Sequence, residues 1–306
     1  MVVIFKNLLI ICFINYSNAY LLPQTFRDWH VVGISDKIDK TNPYKFNIGK
    51  LPMVLWYDKN NLPISTFNVC KHLGNKLENG KVYNGSLICP SHKLHYTTND
   101  AVGKTVDTDG LIWWSYKSYQ ENPPKLPLRN NNYNTKHFKL DINIDLISCV
   151  LNFLHINNLN SKNIFKNNKL LLKSFHTDYT STIIYKYPYT IFVSTKLNKH
   201  KLKAVYFINF LPIEENKTRM FVTIKYNNNL KEYIGSWFYC FIIKFFLFKI
   251  KHEIENQYTS DKLKIYLMLQ NTMSNNYLFN VYKLYEKYMF PNDFFMYHFM
   301  KNKQYY

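Results

Sequence analysis

Between Phe26 and Tyr116, apolar and β-branched residues come in short runs: WHVVGI, MVLWYD, ISTFNV, LICP and GLIWWSY. Turn formers separate them, namely Asp58-Lys59-Asn60-Asn61, Asn79-Gly80, Asn84-Gly85 and Asp109-Gly110. Short apolar runs bounded by such residues predict strands. The segment 26–120 is therefore expected to be a small all-β domain. The next stretch, YQENPPKLPLRNNNYNTK, holds Pro123, Pro124 and Pro127 followed by an Asn run. Its composition predicts a linker over 121–137.

Residues 138–306 read as a second domain. It begins with the apolar stretch INIDLISCVLNFLHI. The strand-like runs KLLLKSF, STIIYKY, TIFVSTK, LKAVYFINF and RMFVTIKY follow. No gap between these runs is long enough for a crossover helix, so the sheet is expected to be antiparallel. Over 261–289 the period changes. Leu263, Tyr266, Leu267 and Gln270 share one helical face, and Leu278, Val281, Tyr282 and Tyr285 repeat the spacing. The expected class is α+β: an antiparallel sheet around a long C-terminal helix, helix-grip-like, with room for a cavity. YIGSWFYCFIIKFFLFKI (233–250) is the most apolar stretch of this part. Lys244 interrupts it and it is short for a membrane span, so it predicts core, with membrane docking as the alternative.

The N-terminus, MVVIFKNLLIICFINYSNAY, has an early Lys, an apolar stretch, and small residues at Ser17 and Ala19. Residues 1–19 fit a cleavable signal peptide, which predicts the secretory pathway. The first half of a plastid-targeting sequence and an uncleaved anchor are the alternatives.

Composition narrows the field. Of the 306 residues, 47% are hydrophobic and 18% aromatic, which excludes a disordered chain. Lys and Arg number 39 against 20 acids, a formal charge of +19. The lysines are scattered among Asn, Ile and Tyr, with no compact basic run and no nucleic-acid-binding motif, so no nucleic-acid partner is expected. The five cysteines (Cys12, Cys70, Cys89, Cys149 and Cys240) are odd in number and widely spaced, unlike a disulfide framework. Cys149 and Cys240 sit in apolar surroundings, as buried free thiols do.

The chemistry concentrates in FNVCKHLGNKLENGKVYNGSLICPSHKLHY (67–96). Cys70-Lys71-His72 and Cys89-Pro90-Ser91-His92 form C-x-H…C-x-x-H. This pattern resembles the ligand set of Rieske proteins, with a structural zinc site as the alternative use of the same ligands. In a Rieske [2Fe–2S] centre two Cys hold one iron and two His the other. Neutral imidazoles in place of thiolates remove negative charge, which raises the potential to about −150 to +300 mV. The stretches HLGNKLENGKV, LICPSHKLHY and GLIWWSY are similar to Rieske oxygenase domains. Cytochrome-complex Rieske proteins carry a disulfide between the two loops; here its positions hold Asn75 and Ser91. The large second domain and the Pro-rich connection resemble Rieske-type non-haem iron oxygenases, nearest to the pheophorbide a oxygenase-like members. Two departures stand out. Lys93-Leu94 occupies the place of the usual Gly-Trp, and the C-terminal C-x-x-C of many of those members is absent.

That resemblance implies a [2Fe–2S] cluster on Cys70, His72, Cys89 and His92. It implies an external electron donor (a ferredoxin or reductase), an apolar or aromatic small-molecule substrate hydroxylated or cleaved with O2, and a head-to-tail homotrimer. It also implies a mononuclear Fe(II) held by two His and a carboxylate. The family motif is roughly D-x-x-H-x4-H. In VLNFLHINNLNSKN one register places Asn152 at the Asp, His155 at the first His and Asn160 at the second. A second register replaces the Asp by His155 and both His by Asn158 and Asn163. The metal candidates are thus His155 and, at a helix start, Asp261; His176 is a candidate replacement ligand. Three classes of function remain open: an oxygenase or related oxidoreductase with an altered iron site, a Rieske electron-transfer protein, and a non-catalytic protein that binds an apolar ligand.

Overall fold

The structure is a computed structural model. It describes residues 28–49, 51–116, 121–126, 133–156, 161–166, 169–175, 179–186, 189–197, 203–214, 216–227, 248–249 and 251–256. Within these residues the fold is mostly β-sheet with few helices. The first nine strands are β1 (His30–Ile34), β2 (Tyr44–Ile48), β3 (Leu51–Tyr57), β4 (Pro63–Phe67), β5 (Lys81–Tyr83), β6 (Ser86–Ile88), β7 (His95–Tyr96), β8 (Lys104–Thr108) and β9 (Leu111–Ser115). They form three antiparallel sheets in the orders β1-β9-β8, β2-β3-β4 and β5-β6-β7. Two hairpins use the turn pairs that stand out in the sequence. Asn84-Gly85 and Asp109-Gly110 all have positive φ, 49° and 75° in one pair and 56° and 76° in the other. Positive φ at both central residues is the type I′ geometry that matches strand twist.

The second part has the strands β10 (Tyr133–Ile142), β11 (Ser161–Lys166), β12 (Lys169–Phe175), β13 (Tyr179–Lys186), β14 (Thr190–Leu197), β15 (Lys203–Glu214) and β16 (Lys217–Asn227). They make one seven-stranded sheet in the order β10-β16-β15-β14-β13-β12-β11. Every pair is antiparallel, as the short gaps predict. Helix α1 (Leu146–Ile156) lies between β10 and β11 in the chain. Its Leu151, Phe153 and Leu154 pack on one face of the sheet with Phe210, Met220, Val222 and Ile224. Helical residues 251–256 join that layer through Ile254 and through Glu255, which accepts a 3.0 Å bond from the Asn143 amide. No helix among the described residues is long and apolar enough to cross a membrane. The N-terminal segment 1–19, the apolar stretch 233–247 and the helix expected over 261–289 lie outside the described residues.

Period-2 alternation explains how the parts stack. On β15 and β16, Phe207, Leu211 and Phe221 face away from α1 and join Val31, Phe46, Met53, Leu55 and Trp113 of the first part. Strand β3 is buried on both sides. Met53, Leu55 and Tyr57 enter this shared core, while Val54 and Trp56 enter a smaller one with Cys70, Cys89, Leu87 and Tyr96. That double burial accounts for the continuous apolar sequence of β3. One polar side chain bolts the two parts together. Asn209 of β15 is fully buried, its Oδ1 accepts the Val31 N–H at 3.1 Å, and its amide donates to Thr190 Oγ1 at 3.3 Å.

Asn209→Ala strands the Val31 amide without its acceptor. An unsatisfied buried donor costs about 1–3 kcal/mol, so denaturant unfolding of this variant should show a loss of about 2 kcal/mol. A loss below about 0.5 kcal/mol would show that the bolt contributes little.

Candidate metal centre

The two ligand-bearing loops are built alike. After β4, the Cys70 amide donates to the Asn75 carbonyl at 2.7 Å, and the Gly74 amide donates to the Cys70 carbonyl at 2.8 Å. After β6, the Cys89 amide donates to the Leu94 carbonyl at 2.9 Å. Each loop thus closes on the carbonyl five residues beyond its cysteine. The residue just before that carbonyl is left-handed in both, Gly74 at φ 75° and Lys93 at φ 58°. The first loop is braced by Asn68 and Glu78: the Glu78 amide donates to Asn68 Oδ1 at 2.8 Å, and the Asn68 amide donates back to the Glu78 carboxylate. The hairpin carrying the second loop is seated by Trp56, whose Nε1 donates to the Gly85 carbonyl at 3.2 Å.

This geometry sorts the four side chains into two pairs. Cys70 and Cys89 are buried, in hydrogen-bond contact with each other and free of any disulfide. His72 and His92 are exposed, with ring centroids 4.7 Å apart and planes at 83°. Burial pushes the Cys70 thiol up. Hydrogen bonds from the Tyr96 hydroxyl, the His72 amide, the Cys89 thiol and the Leu73 amide outweigh it, and the net shift is below the ordinary thiol range. Tyr96 is pushed up to about 12, by burial first and then by its bond to Cys70, so it stays a proton donor at neutral pH. Its oxygen also accepts the Lys71 amide at 2.8 Å.

A single tetrahedral zinc needs its ligands around one point. An inner thiol pair and an outer imidazole pair match instead the division of ligands between two irons. A model of the Rieske [2Fe-2S] domain matches residues 28–115, the span that contains both loops. These residues are a Rieske [2Fe–2S] domain.

The Rieske domain has a curated relative in the 3-ketosteroid-9-alpha-monooxygenase oxygenase component of Rhodococcus rhodochrous, 30% identical over 81 residues. That match takes in 26% of this chain and only 20% of the relative's own length. Among solved structures, dicamba monooxygenase bound to dicamba superposes with a TM-score of 0.65 at 13% identity, over 86% of this chain and 97% of that one. The NdmA QL mutant of Pseudomonas putida CBB5 with caffeine superposes with a TM-score of 0.66 at 16% identity, over 77% of this chain and 83% of that one. At such identities the likeness is one of fold, and it extends beyond the Rieske domain into the seven-stranded sheet.

Of the residues expected around a mononuclear iron, Asn152, His155 and Asn163 fall within the described residues. His155 is the penultimate residue of α1. Asn152, one turn earlier, is buried, and its amide donates to the Ser148 carbonyl of its own helix at 2.8 Å. Asp261, His176, Asn158 and Asn160 lie outside the described residues, and Asn163 falls on β11. Cys149 is buried, as its apolar neighbours predict, and burial pushes its thiol up; Cys240 lies outside the described residues. Two features of the centre escaped the sequence pattern, Tyr96 and the Asn68–Glu78 brace. Tyr96 ends the ligand-bearing stretch, and its alternation with exposed His95 on β7 was the available signal.

Lys93 holds a conformation that costs a side chain roughly 1–2 kcal/mol. Lys93→Gly should therefore leave the apoprotein as stable as before or about 1 kcal/mol more stable. A methyl group on Gly74 meets no atom within 4 Å, so Gly74→Ala isolates the same backbone strain with the opposite sign. Its unfolding free energy should fall by about 1 kcal/mol. If both variants shift in the same direction, the loops are not governed by this constraint.

Proposed function

We propose that this chain is a Rieske oxidoreductase of the oxygenase type, with Cys70, His72, Cys89 and His92 as the ligands of its [2Fe–2S] cluster. The observation that carries this is the division of the four side chains into a buried thiol pair and an exposed imidazole pair. When bound, the cluster supplies one-electron transfer. The chain's own residues prepare for it. Burial of the cysteines keeps water from the sulfurs, and the Tyr96 hydroxyl and the His72 and Leu73 amides stabilise the Cys70 thiolate. The imidazole edges stay open to an external donor, a ferredoxin or reductase. The shared fold with oxygenases supports an apolar or aromatic small molecule as substrate, hydroxylated or cleaved with O2 in the second part of the chain. The resemblance adds a head-to-tail homotrimer, and residues 1–19 add export or plastid targeting, as further parts of this proposal.

In this reading the mononuclear site is rebuilt around His155 and Asp261, with Asn152 and Asn160 in the places of the bridging Asp and the second His. Asn is a poor partner for Fe(II) beside imidazole. Asn152 motivates a second reading, because the carboxylate of the bridging Asp is missing at this buried position and its amide donates within its own helix to Ser148. In that reading the chain is a Rieske electron-transfer protein, or a protein binding an apolar ligand, that has lost the mononuclear iron.

Iron content after anaerobic reconstitution separates the two. Three iron atoms per chain support the oxygenase, two the electron carrier or ligand-binding protein, and zinc alone contradicts both. Asn160→His should raise the iron bound per chain. Unchanged iron in that variant would place the ligand register elsewhere in the sequence.

A further inference from the structure

Lys71 stands between Cys70 and His72, and its contacts go to the far side of the site. Its backbone amide donates to the Tyr96 oxygen at 2.8 Å. Its ammonium is 2.6 Å from Asp100 Oδ1 and 5.3 Å from the centre of the Tyr96 ring. Asp100 is held independently of Lys71. Its other oxygen accepts the Thr97 amide at 2.9 Å, completing a capping box on the short helical turn after β7. The first loop is thus fastened to the strand and turn that follow the second loop by a backbone bond, an ion pair and a cation–π contact.

We propose that Lys71 is a positioning residue for the cluster, and that its pairing with Asp100 sets the charge beside Cys70 and His72. This rests on the assignment of the cluster to the two loops. Stability alone does not account for the arrangement. The Lys71 side chain is 60% exposed, and exposed ion pairs contribute about 0–1 kcal/mol. The local field is another matter. Reduction adds an electron to the cluster, so a nearby cation favours the reduced state and a nearby anion the oxidised one. In the wild type the two charges offset each other. Lys71→Met leaves the Asp100 carboxylate alone, and Asp100→Asn leaves the ammonium alone. The two substitutions should move the potential in opposite directions, whereas damage to the loop would move both the same way.

The test is an EPR-monitored redox titration of the reconstituted full chain. At a fixed poise, Lys71→Met should lower the ratio of reduced to oxidised cluster at least threefold, and Asp100→Asn should raise it at least threefold. The double variant should return close to wild type, and Lys71→Arg should stay there. Both single shifts should shrink as salt screens the charges. As a second readout, cluster loss to a chelator should quicken in both single variants and not in Lys71→Arg. Shifts of one sign, or an Asp100→Asn ratio that is unchanged or lowered, would overturn the proposal. Should Lys71→Met fail to load, Lys71→Arg and Asp100→Asn decide the matter by the same criteria. A wild-type protein that takes up no iron overturns the cluster assignment itself, and so is distinguishable from failure of the Lys71 role.

Discussion

A buried backbone amide must find an acceptor, and the amides of Cys70 and Cys89 find theirs five residues along the chain, at Asn75 and Leu94. Much of the site follows from those two bonds. They force each loop into a tight turn with one left-handed residue. They hold each thiol in the small core under β3 and send the chain outward before it returns. His72 and His92 fall on the outward part. A spacing of two residues in one loop and three in the other then brings the rings within 4.7 Å of each other. The left-handed position also explains a departure from the usual motif. Glycine is favoured there because it carries no Cβ, and this chain accepts the strain of Lys93 instead.

Strand β3 carries that local geometry into the rest of the molecule. Its even residues, Val54 and Trp56, support the thiols, and its odd residues, Met53, Leu55 and Tyr57, share a core with Phe207, Leu211 and Phe221 of the large sheet. The cluster-binding end and the second part of the chain are therefore braced against the same strand. The Asn209 bond to Val31 fixes their register with a directional contact that apolar packing alone does not give.

The sequence made some of this legible and hid the rest for physical reasons. The apolar runs that became β1, β3, β4, β9 and β13–β16 are visible because buried strands need apolar residues, and the run KLLLKSF became β12. Strands β2, β5, β7, β8 and β10 are short or carry Lys, Asn, Asp and Thr at half-covered or exposed positions, and β11 has the sequence SKNIFK with only two apolar residues, so no pattern announced them. The stretch INIDLISCVLNFLHI contains both the end of β10 and α1, because its apolar residues are too continuous to show a period. The four Cys and His residues were legible because their spacing is a consequence of the closed loops. The Lys71–Asp100 pair was not, since residues 29 apart in sequence meet only after the second loop has folded back.

The central claim is that two imidazoles and two thiolates share one cluster. Pulsed EPR on the reduced, reconstituted protein tests it most directly. The account predicts a mean g value well below that of all-cysteine clusters, with hyperfine couplings from two histidine nitrogens, one of which is lost in His72→Cys and the other in His92→Cys. A reduced signal without nitrogen couplings, or a protein that holds only zinc after anaerobic reconstitution, would contradict it.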